Sequence, residues 1–403
     1  MRGRLITVLV LGLIFMAAFD IWVGTTKLPD LKPATSDRVY DRNGALIAAF
    51  LTPDDYWRFD ASSDDIDPIY IATLIAYEDK RFYQHNGVDV WAILRAASQF
   101  AQGGKIRSGG STLTMQVARL LERLATGSVT SKLRQIRVAL ALEQQLTKNE
   151  ILHIYIKLAP FGGNVEGIAA ASYVYLGKAP SRLTASEAAL MVAIPQAPNH
   201  RRPDRNHKQA IDARNKVLNR AHLAGVFNIQ TLQSALREQV SPDLQKIPRF
   251  ALHMAQMHRK KTGTLTLDKD IQRKAEKLFK RKIQSQGRSI SGAVIIADYK
   301  SGDIITYIGS PDFTNEQRHG YVDMANAIRS PGSTLKPFIY AKAFADGILH
   351  PQTLIADMPV RFGQYEPSNF DGTYKGMMTV HDALIGSRNI PAVTVLDKIG
   401  VNR

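Results

Sequence analysis

From about residue 66 to residue 240 the chain is almost wholly helical in pattern, with only short loops between segments. A run of that length commits this part to helices packed on helices around one core. Two segments mark their own starts. Thr147-Lys148-Asn149-Glu150 and Thr184-Ala185-Ser186-Glu187 both have capping-box spacing, and Pro195 ends the helix that the second one opens. After Pro248 the texture changes. Gly292 to Tyr299, the turn Lys300-Ser301-Gly302-Asp303 and Ile304 to Gly309 together read as a β-hairpin, so a second, α/β-type domain begins near 265–290. A shorter hairpin is expected over Val39 to Ile47, turning on Asn43-Gly44.

One helical segment ends oddly. Ile69, Ile71, Leu74 and Ile75 give a buried face that Asp67 can cap and Pro68 can open. Glu78 and Asp79 then stand at its C-terminus, where negative charge costs about 0.3–1 kcal/mol at exposed sites. The bland reading pairs them with Lys80 and Arg81 in solvent; the other gives Glu78 a chemical task. A second helix, Val90 to Gln102, ends at Gly103-Gly104, and a polar loop from Lys105 to Gly110 leads into Ser111-Thr112-Leu113-Thr114-Met115-Gln116. Glycine, hydroxyls and a helix N-terminus make either an anion cradle or an ordinary N-cap. Helix 132–143 carries Lys132, Arg134 and Arg137, Phe161-Gly162-Gly163-Asn164 reads as a loop, and the basic segment 210–224 reads as a solvated flank.

Composition enters through two facts. The absence of cysteine excludes disulfides, zinc–thiolate sites and thiol nucleophiles. A net charge of +16 calls for a polyanionic partner, whether nucleic acid, anionic lipid or a phosphorylated substrate. No RNA-binding signature or zinc-finger spacing is visible, so nucleic acid is not expected. At the N-terminus, Arg2 and Arg4 precede an apolar run from Leu5 to Phe19 that continues to Gly24 with one carboxylate, Asp20, near its outer end. About 20 residues can span a bilayer. Trp22 suits the interface, and the leading arginines keep the N-terminus in the cytoplasm. An uncleaved single-pass anchor at the cytoplasmic membrane is expected, with the rest of the chain outside. Residues 25–45, with Pro29 and Pro33, read as a stalk.

In the second domain Ser333-Thr334-Leu335-Lys336 has S-x-x-K spacing, which on a helix brings a lysine to the face of a serine nucleophile. Ser387-Arg388-Asn389 follows as S-x-N. No K-T-G comes after Asn389. Lys261-Thr262-Gly263 lies upstream, in the linker, and is read as coincidence.

Taken together, these motifs resemble the class A penicillin-binding proteins, bifunctional peptidoglycan synthases. E-D-x-x-F-x-x-H-x-G stands at Glu78–Gly87, G-G-S-T-L-T-x-Q at Gly109–Gln116, K-N-E-I-L-x-x-Y at Lys148–Tyr155 and G-G-N-x-x-G-I-x-A-A-S at Gly162–Ser172. Met115 replaces a usual glutamine, and Ser131-Lys132-Leu133-Arg134-Gln135 replaces R-K-x-x-E, so Gln135 holds the position of the family's second glutamate. These departures, with Ala159-Pro160-Phe161-Gly162-Gly163, look like the 1C subtype. Lys157 in place of a frequent asparagine has no reading from sequence.

The resemblance implies a fold: a mainly α, lysozyme-like glycosyltransferase domain after one N-terminal transmembrane helix, then an incomplete α/β serine transpeptidase domain. The expected bounds are 1–24 for tail and anchor, 25–45 stalk, 46–240 glycosyltransferase, 241–288 linker and 289–403 transpeptidase. It also implies a reaction. Lipid II and the growing glycan chain are the partners, besides the membrane and other cell-wall synthesis proteins. Glu78 is the general base on the acceptor hydroxyl. Arg119 and Arg123, one helical turn apart, are the candidates for the diphosphate, while Ser111, Thr112 and Gln116 line the donor site. No cofactor is required, and Mg2+ or Mn2+ at the diphosphate is left open. Ser333, Lys336, Ser387 and Asn389 match the transpeptidase set, expected to be inactive without the K-T-G strand. Two other readings stand beside this one: a non-catalytic membrane scaffold, and a lysozyme-type hydrolase, which Gln135 disfavours because that chemistry takes two carboxylates.

Overall fold

The computed structural model describes residues 14, 16–103, 110–124, 128–260 and 263–401. Arg2, Arg4, most of the apolar run, the glycine loop 104–109, Lys261 and Thr262 therefore lie outside the described residues. Residues 16–24 are helical, and no described helix is long and apolar enough to cross a membrane. The chain divides into two compact units, Met1–Ala325 and Asn326–Arg403.

The first unit opens with the expected hairpin, β1 (Arg38–Tyr40) antiparallel to β2 (Leu46–Ala49). Asp41 accepts from the backbone N–H groups of Asn43 and Ala45, and Gly44 takes φ +75° at the turn. A mainly helical body follows: α1 (Pro68–Glu78), α2 (Val90–Gly103), α3 (Leu113–Glu122), α4 (Val129–Gln145), α5 (Lys148–Leu158), α6 (Ile168–Leu176), α7 (Ala185–Ala193), α8 (His207–Leu223) and α9 (Ile229–Arg237). Asp67 caps α1 as its sequence suggests, accepting from Ile69 N at 3.0 Å, and its other oxygen accepts from Leu183 N. Both capping boxes form, at Thr147/Glu150 and Thr184/Glu187.

Helix α7 is the centre of this body. Small side chains let α1 and α8 pack against it, and Ala188, Ala189 and Ala193 are fully buried. The expectation of a solvated flank over 210–224 is corrected here. Ala210, Arg214, Val217, Leu218 and Ala221 share one face of α8 and are buried, with the charged residues on the other. Arg214 lies inside because Ser186 Oγ and the carbonyl of Glu238 accept from its guanidinium at 2.8 and 2.6 Å.

The glycine segment after α5 is not a free loop. Pro160–Gly162 (β4) and Val165–Glu166 (β5) pair antiparallel, and Trp57–Arg58 (β3) pairs parallel with β5, giving the order β3-β5-β4. Gly167, at φ +79°, is required by packing as well as by conformation: a Cβ there would lie 2.6 Å from the Lys157 carbonyl oxygen. Lys157, unread from sequence, pairs with Asp60 at 2.6 Å. The rest of this unit comprises α10 (Leu252–Met257), α11 (Lys269–Gln284) and the antiparallel pair β6 (Val294–Ala297) and β7 (Ile304–Ile308). Gln272, buried on α11, bonds both the N–H and the carbonyl of Tyr307, so helix and strand are joined as a ladder would join them.

The second unit has its own small core, Tyr340, Ala343, Ile355, Val380, Ala383, Ala392 and Val395. A 3-10 turn over Gly332–Leu335 runs directly into α12 (Lys336–Ala345). Strands β8 (Leu354–Asp357) and β9 (Gly376–Thr379) pair antiparallel, followed by α13 (Val380–Ile385) and α14 (Asn389–Ile399).

Candidate functional site

The two carboxylates at the end of α1 have different surroundings. Asp79 is buried and turns toward the start of α3, where it accepts from Leu113 N at 2.9 Å and contacts His85 Nε2 at 3.0 Å. A charge that opposes the dipole of its own helix thus favours that of the next one. Thr112 completes the joint. Its hydroxyl donates to the Gly87 carbonyl at 2.6 Å and accepts from Met115 N, so this buried residue is the N-cap of α3 and also lines the cleft beside Glu78.

Among the described residues the hydrogen-bond partners of Glu78 are two neutral amides. Gln116 Nε2 donates to one oxygen at 2.9 Å and Gln196 Nε2 donates to the other. Tyr70 and Tyr155 are buried beside it, and burial, reinforced by the Glu78 charge, raises both phenols well above their ordinary range.

Two clefts meet at this point. One, of about 650 Å3, is lined by Glu78, Ser111, Gln116, Gln196, Lys216 and Arg220 among others. Its neighbour, of about 530 Å3, is lined by Ser111, Gln116, Arg119, Lys132, Gln135 and Gln196. Ser111, Gln116 and Gln196 belong to both, so Glu78 and the Arg119–Lys132 pair flank a shared wall. Lys132 Nζ donates to Ser111 Oγ, and neither Lys132 nor Arg119 has a carboxylate partner among the described residues. Burial, and then the Arg119 charge, lower the Lys132 pKa below that of an ordinary lysine. Two uncompensated cations facing one cavity form an anion site.

The two predicted arginines both line a cavity with Asp54, Arg58 and Glu166, and only Arg119 also lines the cleft of Ser111 and Gln116. Helix α3 ends at Glu122, and Arg123 takes a left-handed C-cap conformation at φ 50°. The i, i+4 stacking is lost there. Arg123 points away to Asp54 at 3.3 Å, with its side chain 73% exposed, and does not line the Ser111–Gln116 clefts. Gln135 is buried in the wall of the second cleft. Lys132 and Gln196 were not singled out from sequence. Lys132 was legible as the basic residue of the altered R-K-x-x-E motif, whereas Gln196 carried no signal beyond a polar residue between Pro195 and Pro198.

A divalent cation finds no resident ligand set here. Among the described residues no three histidine, aspartate or glutamate side chains gather. Both Glu78 oxygens face amide N–H groups, and Asp79 is occupied by a backbone N–H and an imidazole. These donors do not fit a bound metal.

In the second unit, Lys336 Nζ donates to Asn389 Oδ1 at 2.6 Å, to Ser387 Oγ at 3.2 Å and to the Ser387 carbonyl. The turn that allows this places Ser387 at φ 49°. Burial, and then the Arg388 charge, lower the Lys336 pKa. Arg388 is itself fixed by buried Asp357 at 2.7 Å and by Asp371. Ser333 lies in the 3-10 turn that leads into Lys336, and no hydrogen bond joins its hydroxyl to the Lys336 ammonium.

Comparison with known proteins finds two families along the chain, the second of which begins inside the first compact unit, at the β6–β7 pair. A family model described as Transglycosylase matches residues 43–222, and one described as Penicillin binding protein transpeptidase domain matches residues 292–403. Penicillin-binding protein 1C of Escherichia coli (strain K12) is 41% identical over 399 residues, 97% of this chain and 51% of that protein. Penicillin-binding protein 1F of Bacillus subtilis (strain 168) is 30% identical over 389 residues, 91% of this chain and 53% of that protein. The solved penicillin-binding protein 1A from Haemophilus influenzae aligns with a TM-score of 0.40 at 17% identity, covering 92% of this chain and 62% of that one. The chain spans about half the length of the curated relatives it matches.

Proposed function

The chain belongs to the class A penicillin-binding proteins, and on that premise we propose that its first unit is a peptidoglycan glycosyltransferase that polymerises lipid II. The observation that carries this reading is one carboxylate held by neutral amides and two cations with no carboxylate partner among the described residues, on either side of a wall formed by Ser111, Gln116 and Gln196. The polymerisation needs that asymmetry: a proton acceptor on one side and a developing diphosphate anion on the other.

Glu78 takes the proton of the acceptor's sugar 4-hydroxyl as its oxygen bonds to the donor's C1. The C1–O bond to the lipid diphosphate breaks, and the polyprenyl pyrophosphate leaves with the electron pair. A positioned base contributes about 10²–10⁴-fold. Arg119 and Lys132 stabilise the charge growing on the phosphate oxygens, and Ser111 holds Lys132 toward them. Gln116 orients Glu78, Thr112 fixes the start of α3, and Gln135 offers a neutral amide where a carboxylate would offset the two cations. Any Mg2+ or Mn2+ enters as the counter-ion of the diphosphate, and no step depends on it.

In the second unit we assign Ser333 the nucleophile position and Lys336, Ser387 and Asn389 the surrounding polar set, and we infer that this unit does not acylate, since Lys336 is engaged by Ser387 and Asn389. The bounds proposed are 46–240 for polymerisation and 289–403 for the transpeptidase-like part, joined by 241–288. The segment 1–24 anchors the chain to the cytoplasmic membrane, with the stalk 25–45 leading outward. The deciding experiment is lipid II turnover by the purified chain in detergent. Glycan polymer made by the wild type and absent with Glu78→Gln supports the reading; identical behaviour of the two proteins favours a non-catalytic scaffold.

A further inference from the structure

Gln196 is 118 residues from Glu78 in sequence and belongs to none of the motifs above, yet it contacts the carboxylate directly. Its amide cannot be turned round. Arg201 Nη1, which can only donate, gives a 2.7 Å hydrogen bond to Gln196 Oε1, so Nε2 is the end that faces Glu78. Arg201 is fixed in turn by the Ala193 carbonyl at 2.9 Å, the last turn of buried α7. A chain of donors therefore runs from the centre of the helical body to one oxygen of Glu78, while Gln116 on α3 holds the other.

We propose that Gln196, set by Arg201, is a positioning residue that holds the Glu78 carboxylate aimed across the shared wall; the proposal rests on Glu78 being the base of the reaction above. Amide donors favour the charged form of a carboxylate without neutralising it. A lysine or arginine in the same place would form an ion pair and blunt the base, and a carboxylate there would compete for the proton. The charged groups that line the cleft with Glu78 are Asp79, Lys80, Arg81 and Asp89 after α1, Arg95 of α2, and Lys216 and Arg220 of α8; Tyr70 and Tyr155 are buried beside it, and Arg119 and Lys132 line the adjoining cleft. Asp79 is its chain neighbour, and that charge is already committed to His85 and Leu113 N. Among the described residues the hydrogen-bond donors to Glu78 are Gln116 and Gln196, so the two glutamines set its local hydrogen bonding.

The test is a charge series at one position. Polymerisation of lipid II by the full chain is followed across pH for wild type and for Gln196→Ala, Gln196→Glu and Gln196→Lys. The alanine variant is expected to lose about tenfold in kcat with little change in KM, and its acid limb should move up by about half to one pH unit. The glutamate variant should move the limb up further, and the lysine variant should move it down. Arg201→Gln, which frees the glutamine, should give the alanine effect in weaker form. Rates that fall without the limb moving, or a limb that moves the same way for lysine and glutamate, would overturn the proposal as a mere loss of packing. A separate readout needs no turnover: 13C-glutamate NMR, with the Glu78 signal assigned through Glu78→Gln. If the wild type makes no polymer, the glycosyltransferase reading fails by itself. The clamp then stands or falls on whether the Glu78 side-chain signal moves in Gln196→Ala; a signal that stays in place overturns it.

Discussion

The Glu78 cleft and the Lys336 cluster are built from similar residue types, and they differ in which charges are satisfied. Around Lys336 the polar groups largely find partners within the protein: its ammonium is shared among Ser387 and Asn389, and Arg388 is locked between Asp357 and Asp371. The Glu78 cleft shares the neutral-held lysine, but Arg119 and Lys132 beside it have, among the described residues, no counterpart of the Arg388 ion pairs. A carboxylate has two neutral amides, and these two cations have no carboxylate. Charges left without counter-charges in a water-filled cleft cost little until a ligand of opposite sign arrives and excludes the water. The first unit thus leaves charges open to a ligand of opposite sign, whereas the second ties Arg388 into ion pairs of its own.

Four substitutions probe that contrast. Glu78→Gln is the most severe, with an expected loss of polymerisation of about 10²–10⁴-fold at nearly unchanged stability. Lys132→Ala follows, at about 10²-fold, because it removes one of two donors to the leaving diphosphate. Lys132 also sets an alkaline limit. Its folded pKa is lowered, and the protonated form is the one that binds the anion, so activity should fall with rising pH sooner than for an ordinary lysine. A bound diphosphate raises that pKa, so saturating donor should move the limb upward, and Lys132→Arg should move it higher still. If the alkaline limb is the same in the lysine and arginine proteins, Lys132 does not face the diphosphate. On the other side of the contrast, a fluorescent β-lactam should leave no stable label on Ser333 in this chain. A label that persists, and that Ser333→Ala removes, would show that the second unit is also poised for chemistry.

What could be read from the sequence was local. Asp67 before Pro68, the two Thr-x-x-Glu boxes and Asn43-Gly44 each carry their structural instruction within four residues, and all form as expected. The site divides by the same criterion. Glu78, Ser111 and Gln116 stand in recognisable motifs and meet at one wall. Gln196 becomes legible only when α7 is folded beside α1, because its partners are remote in sequence. The α8 error has a similar origin: Arg214 counts as a surface charge until Ser186 and the Glu238 carbonyl are there to satisfy it. Asp79 shows how a local rule can mislead. The penalty at the end of α1 is real, but 34 residues later a second helix begins against the same carboxylate. Replacing Asp79 with alanine should therefore lower stability by about 1–3 kcal/mol in chemical denaturation, through loss of a cap and an unpaired buried imidazole.

The smallest expected effect is the most discriminating about the arginines. Spacing alone makes Arg119 and Arg123 equivalent, since four residues on a helix place two side chains on one face. The left-handed cap at Arg123 breaks that equivalence, and its partner Asp54 is a carboxylate held down to about 2, first by the Thr52 hydroxyl and then by Arg58. Asp54 keeps Arg58 when Arg123 is removed, so little is left unpaired. Arg123→Ala should change lipid II turnover less than about threefold, whereas Arg119→Ala should cost about 10²-fold. Equal losses would mean that α3 continues past Glu122 when substrate binds and brings Arg123 round to the diphosphate. A measurable loss with Arg123→Ala that Asp54→Asn reproduces would instead place the effect in the ion pair, outside the cleft.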